Sequence, residues 1–367
     1  MEHFRIVIDN KNAIFQPGQS IIGRVIIADK KLKKTKKLII GIKGEAKSNW
    51  NEAAFRISKC QDGDMTYSCV ITYSKEETYI NKEKMAYEAV NMKLKSGKHV
   101  FPFSFDLPLK CYPSYEGDDG HIKYYVYTEL EKLDGAKPKK VLTEYFNVGI
   151  SVDLNTVPLA ILPLELTTDQ DKKQPINMMI SIPKRGFVYG EDIPISVTID
   201  NKSGNTVDEM RVELLQEGIF NGELQKTNNT DQFTEDIEDT KESSYGTRRL
   251  IWKEKQKMNV MGHKTSNVLF LLKVPNVSVE FPPSFDSCPV LSVQYFIRVK
   301  LSTDVIFGSN IKQDIPIIIG TVPIKKLSIT CSVSSVASEN SKENVKKHYD
   351  MNMNICEPVV GRKISVV

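Results

Sequence analysis

The chain has 367 residues, a length that predicts two domains or three small ones. With 40% hydrophobic and 26% charged residues it has the balance of a globular protein with buried cores, not of a disordered chain. Fifty basic residues against 46 acidic ones leave a formal charge of +4, too small an excess to predict nucleic-acid binding, so any basic function must be local.

The first residues alternate. Phe4, Ile6 and Ile8 fall on one face and Arg5 and Val7 on the other, the pattern of a half-buried antiparallel strand and not of a signal peptide. A turn at Pro17-Gly18 leads into Ile21, Val25 and Ile27, which are expected to enter a core. Lys30, Lys31, Lys33, Lys34, Lys36 and Lys37 follow, six lysines in eight residues between two strands. They fit contact with anionic lipid or with an acidic or phosphorylated protein tail, and equally a solvated hairpin tip whose charges prevent edge pairing. Trp50 ends the next strand and reads as core or groove wall. Met65, Tyr67, Cys69, Ile71 and Tyr73 again alternate with polar residues, whereas Met85, Ala89 and Met92 have the spacing of a short helix over residues 82–95. Leu107-Pro108 ends a strand, because proline lacks the ladder donor.

The apolar run Val157–Leu164 is eight residues long with two prolines, far short of the ~20 needed to span a bilayer, and reads as part of a linker over residues 156–173. Beyond it the opening pattern returns. Phe15, Gly18, Ile21, Val25 and Ile27 match Phe187, Gly190, Ile193, Val197 and Ile199 at an offset of 172. Pro113-Ser114-Tyr115 matches Pro283-Ser284-Phe285 at 170, and Ile122, Tyr124 and Val126 match Val293, Tyr295 and Ile297 at 171. Two copies of one β domain, over residues 1–155 and 174–325, account for this drift of two residues. Polar, acidic residues 221–247 read as a mobile loop, Val274-Pro275 as a strand end, and residues 326–367 as a flexible, disordered tail.

No nucleotide, metalloprotease, serine-hydrolase or EF-hand motif is present. The segment Gly18-Gln19-Ser20-Ile21-Ile22-Gly23 has the wrong spacing for a nucleophile elbow, and His3, His99, His121, His263 and His348 are too far apart in sequence for a metal-ligand pattern. Cys60, Cys69, Cys111, Cys288, Cys331 and Cys356 include no Cys-x-x-Cys pair and suggest no disulfide framework. The glycosylation sequons at Asn201, Asn228 and Asn276 are expected to stay unmodified in a cytosolic chain.

The string Gly97-Lys98-His99-Val100-Phe101-Pro102-Phe103-Ser104-Phe105-Asp106-Leu107-Pro108, with Pro113-Ser114-Tyr115-Glu116-Gly117 and Gly120-His121-Ile122-Lys123-Tyr124, resembles the amino-terminal domain of α-arrestins, the arrestin domain-containing proteins. Ile182-Pro183-Lys184, Gly186-Phe187, Gly190-Glu191, Cys288-Pro289-Val290 and Ile319-Gly320-Thr321-Val322-Pro323 resemble their carboxy-terminal domain. The resemblance covers roughly residues 1–325. It implies an all-β protein of two tandem immunoglobulin-like β-sandwiches: a non-enzymatic, cofactor-free adaptor that binds cytosolic tails of membrane proteins in sorting, endocytosis or ubiquitination. Such a protein is expected in the cytoplasm and peripherally at the plasma membrane or endosomes.

Family members recruit ubiquitin ligases through Pro-Pro-x-Tyr motifs, but here the lone Pro-Pro, Pro282-Pro283, is followed by Ser284-Phe285. The same fold also occurs in a structural subunit of the retromer sorting complex, a second reading. Cys288 matches the cysteine that pairs with thioredoxin in the thioredoxin-interacting member, which makes a redox or signalling regulator a third. A buried cysteine packing as a small hydrophobe is the alternative, and Asp286 beside it disfavours a thiolate. Ser365 and Val367 at the chain end fit a PDZ ligand.

Overall fold

The computed structural model describes residues 3–29, 35–58, 65–88, 95–132, 140–168, 175–225, 242–304 and 311–325. Among these residues, nine strands form the first half: β1 (His3–Ile8), β2 (Ile14–Phe15), β3 (Ser20–Asp29), β4 (Thr35–Ser58), β5 (Met65–Glu88), β6 (Gly97–Asp106), β7 (Tyr115–Glu116), β8 (Gly120–Lys132) and β9 (Lys140–Val148). The second half follows with β10 (Leu164–Thr167), β11 (Ile176–Ile182), β12 (Gly186–Val188), β13 (Asp192–Asn201), β14 (Val207–Leu224), β15 (Glu242–Val260), β16 (Lys264–Lys273), β17 (Leu291–Thr303) and β18 (Ile311–Gly320). Among the described residues the only helical segments are two 3₁₀ turns, Leu154–Thr156 and Pro158–Ile161.

Each half is a sandwich with a front and a back sheet. The front sheets run β1-β3-β6 and β10-β11-β13-β16. The back sheets run β5-β4-β8-β9-β2 and β15-β14-β17-β18-β12, the same path twice, each ending in a parallel pair. They are joined, since the end of β14 pairs with β5, so one eleven-stranded sheet crosses both halves. The buried apolar residues of both halves likewise form one contiguous cluster.

The repeated motifs now have physical causes. Gly18 (φ 82°) and Gly190 (φ 76°) take the left-handed turn that residues with a Cβ avoid. Ser114 and Ser284 each tie a loop to the last strand of its sandwich. Ser114 N–H donates to the Val148 carbonyl (2.8 Å) and its hydroxyl accepts from Val148 N–H (2.9 Å), and Ser284 does the same with Ile319 (2.8 and 2.9 Å). Tyr124 and Tyr295, both fully buried, send their hydroxyls back to upstream carbonyls, of Tyr112 (2.8 Å) and Pro282 (2.6 Å). Burial raises both phenol pKa values above the ordinary range.

Two expectations need correction. Residues 82–88 are strand, not helix, and pair with Lys37–Ile42 of β4; residues 89–94 lie outside the described set. Met85, the first residue of the pattern that suggested a helix, is 48% exposed on this strand and so marks no buried face, and a bulge opposite Leu38 and Ile39 leaves the next residue, Ala86, without a partner. The polar stretch 221–247 begins and ends as strand, in β14 and β15, and only residues 226–241 lie outside the described set. Within the expected linker, Leu164–Thr167 is a strand that pairs with β11, its leucines half-buried against the core. Residues 326–367, expected to be a disordered tail, lie outside the described residues.

Candidate interaction surfaces

The seam between the halves is built from the long β4–β5 hairpin. Its far end runs past β8, which pairs with β4 only from Thr35 to Ser48, and so reaches the second half. Glu223 and Leu224 pair with Ser74 and Tyr73, and Gln225 N–H extends the contact to the Thr72 carbonyl at 2.9 Å. The Ser48 hydroxyl donates to the Asn221 carbonyl at 2.5 Å. Trp50, 4% exposed, stacks between Tyr73 (5.3 Å) and Tyr245 (6.0 Å), which belong to different halves. Gly222 lies against its ring: a Cβ there would meet Trp50 Cη2 at 2.5 Å, so this strand position excludes any side chain. Trp50 is therefore a wall of the seam.

Beside it lies a polar–aromatic cluster. Tyr79 and Tyr112 meet edge to face at 5.1 Å, and the Tyr112 hydroxyl donates to the Ser287 carbonyl at 2.8 Å. The Tyr79 hydroxyl lies 3.2 Å from Cys288 Sγ, and burial, reinforced by that thiol, raises the phenol pKa well above its ordinary value. Cys288 itself is 3% exposed, so another protein's thiol could reach it only if the seam opened.

Of the other sequence-derived site residues, only Lys36 and Lys37 fall among the described residues. Lys30, Lys31, Lys33 and Lys34 lie outside the described residues, as do Ser365 and Val367. Lys36 and Lys37 begin β4. Lys36 is about half exposed and pairs with Glu131 of β8 at 2.9 Å. Pro282 and Pro283 are buried behind the Tyr295 and Ser284 bonds. Asn201, a sequon asparagine, is fully buried and its amide donates to the carbonyls of Asn205 and Val260.

The structure adds features that the sequence did not disclose. A cavity of about 560 Å³ lies between the connector and the second half, lined by Val152, Leu159, Phe285, Val293 and Ile317, with Asp153 and Asp286 among its acidic groups. Hydrogen bonds from the Asn155 side chain and backbone hold the Asp153 carboxyl below its usual range. On the outer face of the second back sheet, Arg298 grips Asp314 with two bonds (2.5 and 2.7 Å), and Arg248 bridges Asp314 (2.5 Å) and Glu217 (2.7 Å). Although burial works against ionisation, these arginines hold the Asp314 carboxyl below its ordinary value. Among the described residues no group of three His, Cys, Asp or Glu side chains is placed to hold a metal, and no helix is long and apolar enough to cross a membrane.

Comparison with known families agrees with this doubled arrangement. The family described as Arrestin (or S-antigen), N-terminal domain, matches residues 4–155, and Arrestin (or S-antigen), C-terminal domain, matches residues 172–324. The chain belongs to the arrestin family. Its relatives include arrestin domain-containing protein 4 of Mus musculus, 26% identical over 91% of this chain and 75% of the relative. Arrestin domain-containing protein 17 of Caenorhabditis elegans is 23% identical over 92% and 75%, and the thioredoxin-interacting protein of Mus musculus is 22% identical over 94% and 78%. These relatives are α-arrestins. Arrestin-family proteins are in general adaptors that bind partner proteins and do not catalyse reactions.

Proposed function

We propose that this arrestin-family chain is a non-enzymatic adaptor for cytosolic parts of membrane proteins, acting in their sorting, endocytosis or ubiquitination at the plasma membrane or endosomes. One observation carries the reading: the shared back sheet joins both sandwiches through main-chain pairing, so that two sets of exposed strands are presented by a single body. Surface contact is what such an architecture offers. The lysines Lys30, Lys31, Lys33, Lys34, Lys36 and Lys37 supply the approach to an anionic membrane or an acidic tail, each worth about 1 kcal/mol near such a surface. These 367 residues contain no Pro-Pro-x-Tyr, so the proposal does not include a ubiquitin ligase held through that motif.

Proximity labelling with the full chain in its own cells tests this. Membrane proteins and their sorting or ubiquitination machinery should dominate the labelled set, and changing the six lysines to alanine should deplete it. A set without membrane proteins would sink the proposal.

A further inference from the structure

The two front sheets end differently. β6 closes the first and β16 the second, with β3 and β13 as their inner neighbours. Pro102 lies opposite Arg24 and Leu269 opposite Ser196, so Pro102 and Leu269 are equivalent positions of the repeat.

In β6, the Leu107 N–H bonds to the Gln19 carbonyl at 2.9 Å, and the ladder to β3 has no bulge. Odd residues therefore turn their main chain toward β3 and even residues turn it outward. Pro102 occupies an outward position and deletes its donor, which is how natural proteins blunt an edge.

In β16, Val274 N–H donates to the Glu191 carbonyl (2.9 Å) and its own carbonyl accepts from Gly190 N–H (3.0 Å). The ladder to β13 then runs without a bulge from Asp192–Lys273 to Asn201–Lys264. By the same alternation, Asn267, Leu269, Leu271 and Lys273 present N–H and C=O groups to the open side. Leu269 and Leu271 are also 64% and 61% exposed on the solvent face. Among the described residues no strand pairs with this side of β16, and an edge with such donors and acceptors and two bare leucines is a template for another strand.

Charge selects the occupant. Lys264 and Lys273 stand at the two ends of β16, and both are exposed. Neither makes an ion pair among the described residues, although Asp192 lies across the ladder from Lys273. A second copy of this chain would bring two more lysines to the same edge. An acidic segment would be attracted there.

We propose that β16 is a strand-addition site for an extended segment of a partner protein, apolar at alternate positions to cover Leu269 and Leu271 and acidic at its ends to meet the lysines. This deepens the adaptor reading by naming a surface. Because its test uses the purified full chain, it succeeds or fails apart from the cellular labelling.

The probe is a fluorescein-labelled peptide of alternating valine and threonine with two aspartates at each end. Saturable binding is expected, with new amide protection at Asn267, Leu269, Leu271 and Lys273 but not at the already bonded Val268 and Phe270. Leu269→Pro, which copies Pro102, should weaken binding about tenfold or more. Should that variant fail to fold, the double change Leu269→Asn with Leu271→Asn keeps every donor and should weaken binding similarly. A peptide ending in lysines should bind less tightly than the acidic one. No binding by the wild type, or equal binding by a folded edge variant, overturns the site. A wild-type dimer that Leu269→Pro dissolves would assign the edge to a second copy and overturn the partner.

Discussion

Tyr124 and Tyr295 occupy the same place in the two halves, yet their neighbours on the adjacent strand differ. Tyr124 faces Gly44, and Tyr295 faces Gln216. In the first half the ring lies where a side chain would be: a Cβ on Gly44 would meet Tyr124 Cδ1 at 2.4 Å. In the second, the Gln216 amide donates to the Tyr295 hydroxyl (2.7 Å) and the Glu280 carbonyl (3.0 Å), while its own oxygen accepts from Arg249 (2.7 Å). One backbone path has been filled by close packing in one copy and by a buried polar network in the other. The strand path follows from alternation and turns, and what fills it is free to diverge.

The largest expected effect tests whether the halves are separable copies at all. Trp50 belongs to the first half but stacks on Tyr245 of the second, and its removal leaves a cavity where the shared sheet is joined. Trp50→Ala should cost about 3–5 kcal/mol. Calorimetry should show one cooperative transition in the wild type and two in the variant, because the seam no longer couples the halves. Two transitions already present in the wild type, or an unshifted midpoint in the variant, would refute the coupling.

The tyrosine environments come next. Gly44→Ala forces a methyl into the Tyr124 ring and should destabilise by about 1–3 kcal/mol. Gln216→Ala removes its bonds to the Tyr295 hydroxyl, the Glu280 carbonyl and Arg249, and should cost about 1–3 kcal/mol, although the Tyr295 hydroxyl still donates to Pro282. Chemical denaturation of the two variants reads the order directly. If Gln216→Ala proves the costlier, the network and not the packing sets the stability of this layer.

Much of the architecture was legible because it is local or repeated. Alternation gave the strands, Gly18 and Gly190 the turns, and the aligned Pro-Ser-aromatic and Ile-x-Tyr motifs the doubled domain. The seam was not legible, because its partners are distant in sequence: Ser48 bonds Asn221, and Trp50 meets Gly222 and Tyr245. The one local sign was a glycine, Gly222, inside a strand. The helix expected over residues 82–95 gives way over 82–88 to strand, because the pattern began at Met85, which the structure leaves exposed, while the pairing with β4 is set by residues distant in sequence. The lysine cluster was plain in sequence, but its use depends on what lies opposite. Glu131 takes up Lys36, an ion pair between strands that sequence spacing cannot reveal.

The smallest effect on stability bears most directly on how the halves diverged. Pro102→Leu restores to β6 the donor that β16 retains, at an exposed edge position whose main chain makes no bond to β3. Stability should stay within about 0.5 kcal/mol of wild type. Titration calorimetry with the acidic valine–threonine peptide should then show a second, weaker site beside the first. It should be weaker because the position next to it on the edge, equivalent to Leu271, is Ser104, and because Asp106 at the strand end repels the peptide's aspartates. An unchanged stoichiometry would mean that a free N–H is not enough to open an edge, and that the paired leucines and flanking lysines of β16 do the selecting.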